Sequence, residues 1–365
     1  MKVVLHNPFR GKGYAESELG IRMVNAFAAI GHKAIEASSV KEINRFDPAF
    51  VLSMHPTIAK VTKYPTYGCM WSPPPHYSEW GDDIKANIRS YDGYFYGSKA
   101  TSDWTAELVS HSGKAASMGL LVPSCNATIF APGERLRSGK VRIAYFGKNW
   151  DGDRHRSLFE QLANEGFMDF YGPPDAWRYL KSGYKGLVPF NGRAVVETYR
   201  IAGAGICLHS DQHTHFATPS MRIFEIVAAG AVAICGRHGF IEDIFGDSVL
   251  YIDIDSRPEE QVECIRRHLL WINENNGAAL KIAARAHAIF AGYSLECLFQ
   301  GAVQSFCRQG GRHVEPDLNL VDRPRGAWFP WFATTLGDAR SLGARSIARG
   351  MKSFGRVTKA IRGND

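Results

Sequence analysis

Two successive alternations of short apolar strands and amphipathic helices constrain the fold of this chain more than any other feature. Residues 2–7 have the pattern of a strand, and residues 16–30 place apolar side chains near the 3.6-residue period of a helix, which ends at Gly31. Further strands are predicted at 49–53, 66–70 and 93–96. Strands that alternate with helices predict a mostly parallel sheet.

The second alternation follows residues 132–139, a polar segment that we interpret as an interdomain linker. Strands are predicted at 141–146, 168–171, 205–208, 232–235 and 249–252, and helices at 259–274, 277–290 and 295–307. The pattern predicts an α/β protein with two Rossmann-like domains facing across a cleft and a C-terminal tail. The expected divisions are 1–137, 138–310 (whose last helix can pack back on the first domain) and 311–365.

The bulk composition is that of a soluble enzyme. The chain has 365 residues, 45% of them hydrophobic and 22% charged, and no apolar run reaches the ~18 residues of a membrane span. Its first residues are too short for a signal-peptide core. Seven widely spaced cysteines form no disulfide or zinc pattern. We expect a cytoplasmic protein.

Most of the net charge of +7 lies in the tail. Residues 340–362 contain seven Lys or Arg and no acid, with apolar residues at Met351, Phe354, Val357 and Ile361. This spacing predicts a basic amphipathic helix on the inner, anionic surface of a membrane, next to the aromatic run 328–332. Nucleic-acid binding and disorder, favoured by three tail glycines, are the alternatives.

The segment 218–235 carries the strongest functional pattern. A polar loop ends at Ser220, and Met221 and Arg222 open a short apolar helix whose single acid is Glu225. Gly230 ends the helix, and a buried strand follows. An acid here can meet ligand hydroxyls, and the helix N-terminus can meet phosphate. An ordinary loop–helix–strand unit is the alternative.

This run resembles the donor-binding segment of GT-B glycosyltransferases, and within them the group-1, CgeB-like (spore-maturation) branch. The resemblance implies that Glu225 contacts the ribose of a nucleotide-sugar donor. Relatives often have a second acid eight residues earlier, where this chain has Ala217. Relatives with this glutamate generally retain the anomeric configuration.

A second cationic segment covers residues 144–156. Lys148, Arg154 and Arg156 surround a predicted helix start, where a diphosphate would find both cations and backbone N–H groups. CgeB-like enzymes have a similar segment at the start of their C-terminal domain. The pairs Asp151/Asp153 and Asp253/Asp255 imitate a metal-binding Asp-x-Asp, but we interpret them as a helix cap and a surface turn, and predict no metal site.

Gly11 and Gly13 form half of a dinucleotide fingerprint between the first strand and helix, and Glu36 lies where a ribose-binding acid could follow. Glu16 replaces the third glycine. In GT-B proteins a similar loop faces the donor. The alternatives are a flexible turn and an NAD-dependent oxidoreductase.

Histidines follow several predicted strands. His209, His213 and His215 lie on what we interpret as an extended loop that lines the cleft and hydrogen-bonds phosphate or sugar. In the first domain, His55 and His76 follow strands, and Trp71 and Tyr77 could stack on sugar rings. His76 is the candidate base or polar contact for an acceptor hydroxyl.

The resemblance and the residues together predict metal-independent transfer of a sugar from a nucleotide-sugar to a hydroxyl of a glycan or glycolipid, as in polysaccharide biosynthesis. Glu225 and His76 are the predicted catalytic residues. No cofactor is expected beyond the nucleotide-sugar substrate. The alternatives are the oxidoreductase and a non-catalytic adaptor for membranes or nucleic acid.

Overall fold

The computed structural model describes residues 1–12, 14–112, 115–148 and 154–309. In its first half the strands are β1 (Lys2–His6), β2 (Lys33–Ala37), β3 (Phe50–Ser53), β4 (Thr66–Met70), β5 (Gly93–Tyr96) and β6 (Ala115–Leu120). The helices between them are α1 (Ala15–Ala29), α2 (Val40–Phe46), α3 (Pro74–Glu79), α4 (Asp82–Ser90) and α5 (Lys99–Val109).

The second half begins with α6 (Glu134–Ser138). Its strands are β7 (Arg142–Phe146), β8 (Met168–Tyr171), β9 (Tyr184–Gly186), β10 (Gly203–Cys207), β11 (Val232–Gly236) and β12 (Leu250–Ile252). Its further helices are α7 (Arg156–Asn164), α8 (Ala194–Ala202), α9 (Asp211–His215), α10 (Met221–Ala228), α11 (Gly239–Phe245), α12 (Pro258–Glu274), α13 (Asn276–Phe290) and α14 (Leu295–Gln309).

The strands form two parallel sheets of six strands each in the described part of the chain. Their orders are β2-β1-β3-β4-β5-β6 and β12-β11-β10-β7-β8-β9. The strand order reverses beside β1 and β3 in the first sheet and between β7 and β10 in the second. In open parallel sheets, ligands bind beyond the carboxyl ends of the strands at such reversals. The predicted twin α/β architecture is confirmed.

One apolar core is continuous between the two sheets. It contains Val3 and Phe27 of the first half together with Ile223 and Phe224 of α10. The last helix, α14, returns to the first half and packs on α1 and β6, where Phe299 stacks on Phe27 at a centroid distance of 4.1 Å. Burial of large aromatic side chains stabilises this contact.

The segment 132–139, which we predicted as a polar interdomain linker, lies between the two sheets and contains a short helix. Its residues Glu134–Ser138 form α6, and Leu136 is fully buried in the core of the second half. Gly139 adopts a left-handed conformation (φ 70°) at the end of the helix, which a glycine accommodates readily. The segment is therefore a packed connection.

Candidate functional site

Arg222 lies at the point where the strand order of the second sheet reverses. Its Nε donates to the carbonyl of Phe146 at 2.8 Å, and its Nη1 donates to the carbonyl of Leu208 at 2.8 Å. These carbonyls follow β7 and β10, so the guanidinium ties the two strand ends together. Burial opposes its charge, but the pKa of Arg222 is raised above its ordinary value by Tyr145 and Cys207 nearby. A fixed positive charge therefore occupies this crevice.

Gly147 leaves room for that charge. A methyl group on Gly147 would lie 2.7 Å from Nη2 of Arg222, and its φ of 152° is one that other residues rarely adopt. Lys148 follows it and is partly buried. The loop after β7 is thus built to bring backbone close to Arg222.

The start of α10 is held by a histidine. The backbone N–H of Ser220 donates to Nε2 of His209 at 3.1 Å, and the Ser220 hydroxyl lies 3.7 Å from the Cys207 sulfur. The Ser220 N–H is therefore not open to a ligand in this arrangement, whereas no side chain caps the first turn of α10. Met221 and Arg222 begin the helix beyond it.

The segment 211–215 is a helical turn, not the extended loop that we predicted. Ser210 caps it by accepting a hydrogen bond from the His213 N–H at 3.2 Å, which is typical N-cap chemistry. Burial lowers the pKa of His213 to about 3 and, with His209 nearby, that of His238 to about 4. At neutral pH these two imidazoles are uncharged.

Several buried polar atoms around this cluster have no hydrogen-bond partner among the described residues. They are Gln212 Oε1, Thr214 Oγ1, His155 Nε2 and His238 Nδ1. Such atoms cost free energy unless water or a ligand satisfies them. These four atoms lie on α9 and on residues near it.

The first half contributes a row of rings to the opposite wall. Phe9, His55, Trp80 and His76 follow one another at centroid distances of 5.0, 5.1 and 5.8 Å. His76 then faces His213 of the second half at 5.6 Å. His76 therefore lies where the two halves meet.

Of the two aromatic residues that we predicted to stack on sugar, Tyr77 is buried and Trp71 is partly exposed. Tyr77 is 1% exposed, and its hydroxyl accepts a hydrogen bond from the Ser72 N–H at 2.8 Å. Trp71 donates from its ring nitrogen to the Leu121 carbonyl at 2.7 Å. Trp80, which we did not single out, takes the place in the ring row.

The two arginines of the loop before α7 have different surroundings. Arg154 lies 3.5 Å from Asp211 and influences the ionisation of His213, so it belongs to the polar cluster. Arg156 is half exposed, pairs with Glu160 of its own helix at 2.9 Å and lies over the Tyr179 ring. Arg156 is therefore paired with an acid of its own helix.

Glu225 is buried and paired with a residue of the first half. Its Oε1 lies 2.9 Å from Nη1 of Arg22, whose side chain is fully buried. Arg22 also binds Glu18 one helical turn earlier at 2.9 Å. We did not single out Arg22 or Glu18, although a Glu/Arg pair at i, i+4 beside the apolar positions Leu19 and Met23 of α1 was a readable signal.

The first glycine loop is only partly within the described residues. Gly11 is exposed with φ 71°, and Gly13 lies outside them. Glu36 on β2 accepts a hydrogen bond from Asn7 at 2.5 Å and packs against Gly20 of α1. Burial raises the pKa of Glu36. The carboxylate predicted for the dinucleotide alternative is therefore engaged within the protein.

Within the four described ranges, no three His, Cys, Asp or Glu side chains are grouped to hold a metal ion. Asp253 accepts a hydrogen bond from the Asp255 N–H at 3.0 Å in an exposed turn, as expected for a surface pair. The pair Asp151/Asp153 lies outside the described residues, as does the basic tail. None of the described helices is long and apolar enough to cross a membrane.

Residues 134–296 match a protein-family model described as glycosyl transferase-like. Among solved structures, sucrose-phosphate synthase from Thermosynechococcus elongatus superimposes with a TM-score of 0.53 at 11% identity, covering 85% of this chain and 98% of that one. The α,α-trehalose 6-phosphate synthase from Burkholderia multivorans gives 0.48 at 10% identity, covering 81% and 77%.

No curated protein sequence matches the chain. At such low identity, the similarity to the sucrose-phosphate synthase establishes the fold alone. Together with the two parallel sheets and their facing strand ends, it confirms the predicted architecture. The chain has the GT-B glycosyltransferase fold, and residues 134–296 are similar to a glycosyl transferase-like family.

Proposed function

We propose that this protein transfers a sugar, a hexosyl or related group, from a nucleotide-sugar donor to a hydroxyl acceptor. The observation that carries the proposal is the position of Arg222. Its permanently charged guanidinium is fixed to the ends of β7 and β10, where the strand order reverses. That is where a parallel sheet binds a phosphorylated ligand. The glycosyl transferase-like family match covers this region.

The donor diphosphate is proposed to lie beside Arg222, with Lys148 and Arg154 as further cations. Negative charge grows on the diphosphate as the glycosidic bond breaks, and fixed positive charges lower the barrier by stabilising it. The proposal needs no cofactor and no metal.

Glu225 is proposed to bind the ribose. Its Oε1 is held by Arg22, while its Oε2 has no hydrogen-bond partner among the described residues. A carboxylate oxygen with spare acceptor capacity suits a vicinal diol.

The acceptor is proposed to enter along the ring row of the first half. Trp80 offers a face for a sugar ring, and His76 lies between Trp80 and His213 at the junction of the two halves. His76 would contact the attacking hydroxyl and accept its proton. General-base assistance of this kind contributes typically ~10²–10⁴-fold to a rate.

Because of the sequence of residues 220–225, we propose that the chain belongs to the CgeB-like branch. We also propose that it transfers the sugar with retention of configuration. Ala217, at the position of the second acid of many relatives, has a left-handed backbone (φ 46°), and its side chain cannot carry charge. Retention therefore depends on the donor phosphate and backbone. The anomeric configuration of the product, read by NMR, tests it.

The acceptor is proposed to be a glycolipid or a growing surface polysaccharide at the inner face of a membrane, because the basic tail would hold the enzyme there. Vesicles with anionic lipid should bind the full chain, and replacing the tail arginines by glutamine should release it. Equal binding by both proteins would remove this part of the proposal.

Nucleotide release from UDP-, GDP-, ADP-, CMP- and dTDP-sugars tests the central assignment. We expect turnover of one donor class and a loss of ~10²–10³-fold in Arg222→Gln, as for removal of one oxyanion donor. Arg156→Gln is the matched control, because Arg156 pairs with Glu160, and it should retain activity within about threefold. An Arg222 variant as active as wild type would contradict the proposal.

A further inference from the structure

A buried network of charges joins the two halves of the molecule at Glu225. Nη1 of Arg22 lies 2.9 Å from Glu225 Oε1, while Nε and Nη2 of Arg22 donate to Oε1 of Glu18 at 3.1 and 2.9 Å. Nη1 also donates to the Cys125 sulfur at 3.2 Å. Glu18 and Arg22 are at most 2% exposed, and the Glu225 side chain is 9% exposed.

The network does not belong to one half of the chain. Arg22 and Glu18 lie on α1, which covers the first sheet, whereas Glu225 lies on α10 at the second. The other oxygen of Glu18 accepts a hydrogen bond from the Gly192 N–H of the second half at 2.9 Å. The segment that connects the two halves also belongs to the network, because the Asn126 side chain donates to the Arg22 carbonyl at 2.9 Å. Arg22 is therefore fixed from all sides.

The charges in this network are unequal. Two carboxylates face one guanidinium. Burial opposes the charge of Arg22, but Cys125, Glu225 and Glu18 outweigh it and raise the pKa of Arg22. A carboxylate loses its hydration when it is buried, and hydrogen bonds to its oxygen atoms offset that loss. Glu18 uses both oxygens inside the protein, but Glu225 uses only Oε1. The remaining acceptor capacity is at Glu225 Oε2.

We propose that Arg22 is a positioning residue for the donor site: it holds Glu225 Oε1 so that Oε2 is presented to the ribose hydroxyls. The inference rests on the proposed function and extends it. Because Arg22 lies on the first half and Glu225 on the second, recognition of the ribose depends on the docking of α1 against α10. The nucleotide site is then complete only when the two halves are in contact.

The test compares UDP, GDP, ADP and CDP with their 2′,3′-dideoxy analogues by calorimetric titration of the full-length protein. Wild type should bind one ribonucleotide at least ~10-fold more tightly than its dideoxy analogue, and Glu225→Gln should lose this ratio. Arg22→Lys keeps the charge but not the forked geometry. In Arg22→Lys the affinity for the ribonucleotide should differ from that for the dideoxy analogue by no more than about twofold. The affinity for the dideoxy analogue itself should change little.

A purely structural role for Arg22 would lower the melting temperature without changing the ratio, and that result would overturn the inference. The double variant Arg22→Lys/Glu225→Gln should lose no more discrimination than either single variant, since the two act as one unit. Arg142→Lys is the control: this arginine of β7 pairs with Asp169 of β8 at 2.7 Å, is 29% exposed and should keep the wild-type ratio.

A second variant keeps the inference testable if Arg22→Lys does not fold. Glu18→Gln preserves the shape of the network and removes one support of Arg22, and it should reduce the ratio about threefold; an unchanged ratio would overturn the inference. Wild-type binding without ribose discrimination would overturn the inference while leaving the proposed transferase intact. Absence of any nucleotide binding by wild type would overturn both.

Discussion

Gly147 is the residue where the backbone most directly controls the candidate site. Alanine there would have to adopt a φ of 152° and would place a methyl group 2.7 Å from Arg222 Nη2, which its two carbonyl bonds hold in place. We expect Gly147→Ala to weaken nucleotide binding at least tenfold and to lower the free energy of unfolding by about 1–3 kcal/mol. Titration and urea denaturation measure the two effects.

Gly119→Ala is the control for that variant. Gly119 also has a positive φ (129°), but a methyl group there meets nothing within 4 Å. It should share the backbone strain and leave nucleotide affinity unchanged. Equal losses of affinity in both variants would show that Arg222 is not the group displaced.

The uncharged histidines of the cluster predict a pH dependence of stability. The pKa of His238 is lowered by burial, with His209 nearby, to about 4, and this residue is 1% exposed. In the unfolded chain this histidine takes up a proton near pH 6.5, but in the folded protein only near pH 4. Protonation therefore favours the unfolded state, and the free energy of unfolding is full above pH 6.5 and falls as the pH falls towards 4. The free energy of unfolding should fall by up to about 1.4 kcal/mol per pH unit for this residue.

Urea denaturation between pH 7 and pH 4.5 measures that slope. His238→Gln should unfold with a shallower pH dependence than wild type, because it removes one group that the unfolded state protonates preferentially. A midpoint that does not move between pH 7 and pH 4.5 would contradict the prediction.

Residue types at the site were predictable from the sequence, but their partners were not. The segment 218–235 singled out Arg222 and Glu225 because a cation and an acid open a helix before a buried strand. The contacts of Arg222 with the carbonyls of Phe146 and Leu208, and of Glu225 with Arg22, join distant parts of the chain. Local periodicity contains no information on such pairs.

At the scale of elements, α14 is expected to hold the first half together. Phe299 is fully buried and stacks on Phe27 at 4.1 Å. Phe299→Ala should lower the free energy of unfolding by about 3–5 kcal/mol through lost burial and a cavity. Leu270→Ala, at a side chain that is 51% exposed on α12, should change it by less than about 0.5 kcal/mol. Similar losses in both would contradict the role given to α14.

The long periodic helices and the strands named in the sequence analysis agree with the structure to within about two residues, but the short helices α6 and α9 were not predicted. The helices α12, α13 and α14 follow the predicted ranges closely because each presents several turns of apolar pattern. The turn of α9 depends on a single cap by Ser210, and α6 on the burial of Leu136. Tertiary packing determines whether such short segments form a helix, and a short stretch of sequence gives no information about that packing.

At the scale of the whole molecule, the continuous core predicts cooperative unfolding. One apolar cluster contains residues of both halves, beside clusters that belong to one half, and the Arg22–Glu225 pair crosses between the halves. Unfolding of one half alone would expose the shared cluster to water and separate the buried charges. Calorimetry should therefore show one transition for the two halves. Two well-separated transitions would contradict it.

The melting temperatures of wild type and Glu225→Ala with UDP, GDP, CMP, ADP, dTDP and NAD(H) decide whether the protein has the proposed nucleotide site. A ligand at 100 times its Kd stabilises the native state by ~2.7 kcal/mol, which a melting curve resolves. We expect one nucleotide class to stabilise wild type and to lose this effect in Glu225→Ala. No response to any nucleotide, or a response to NAD(H) alone, would contradict it.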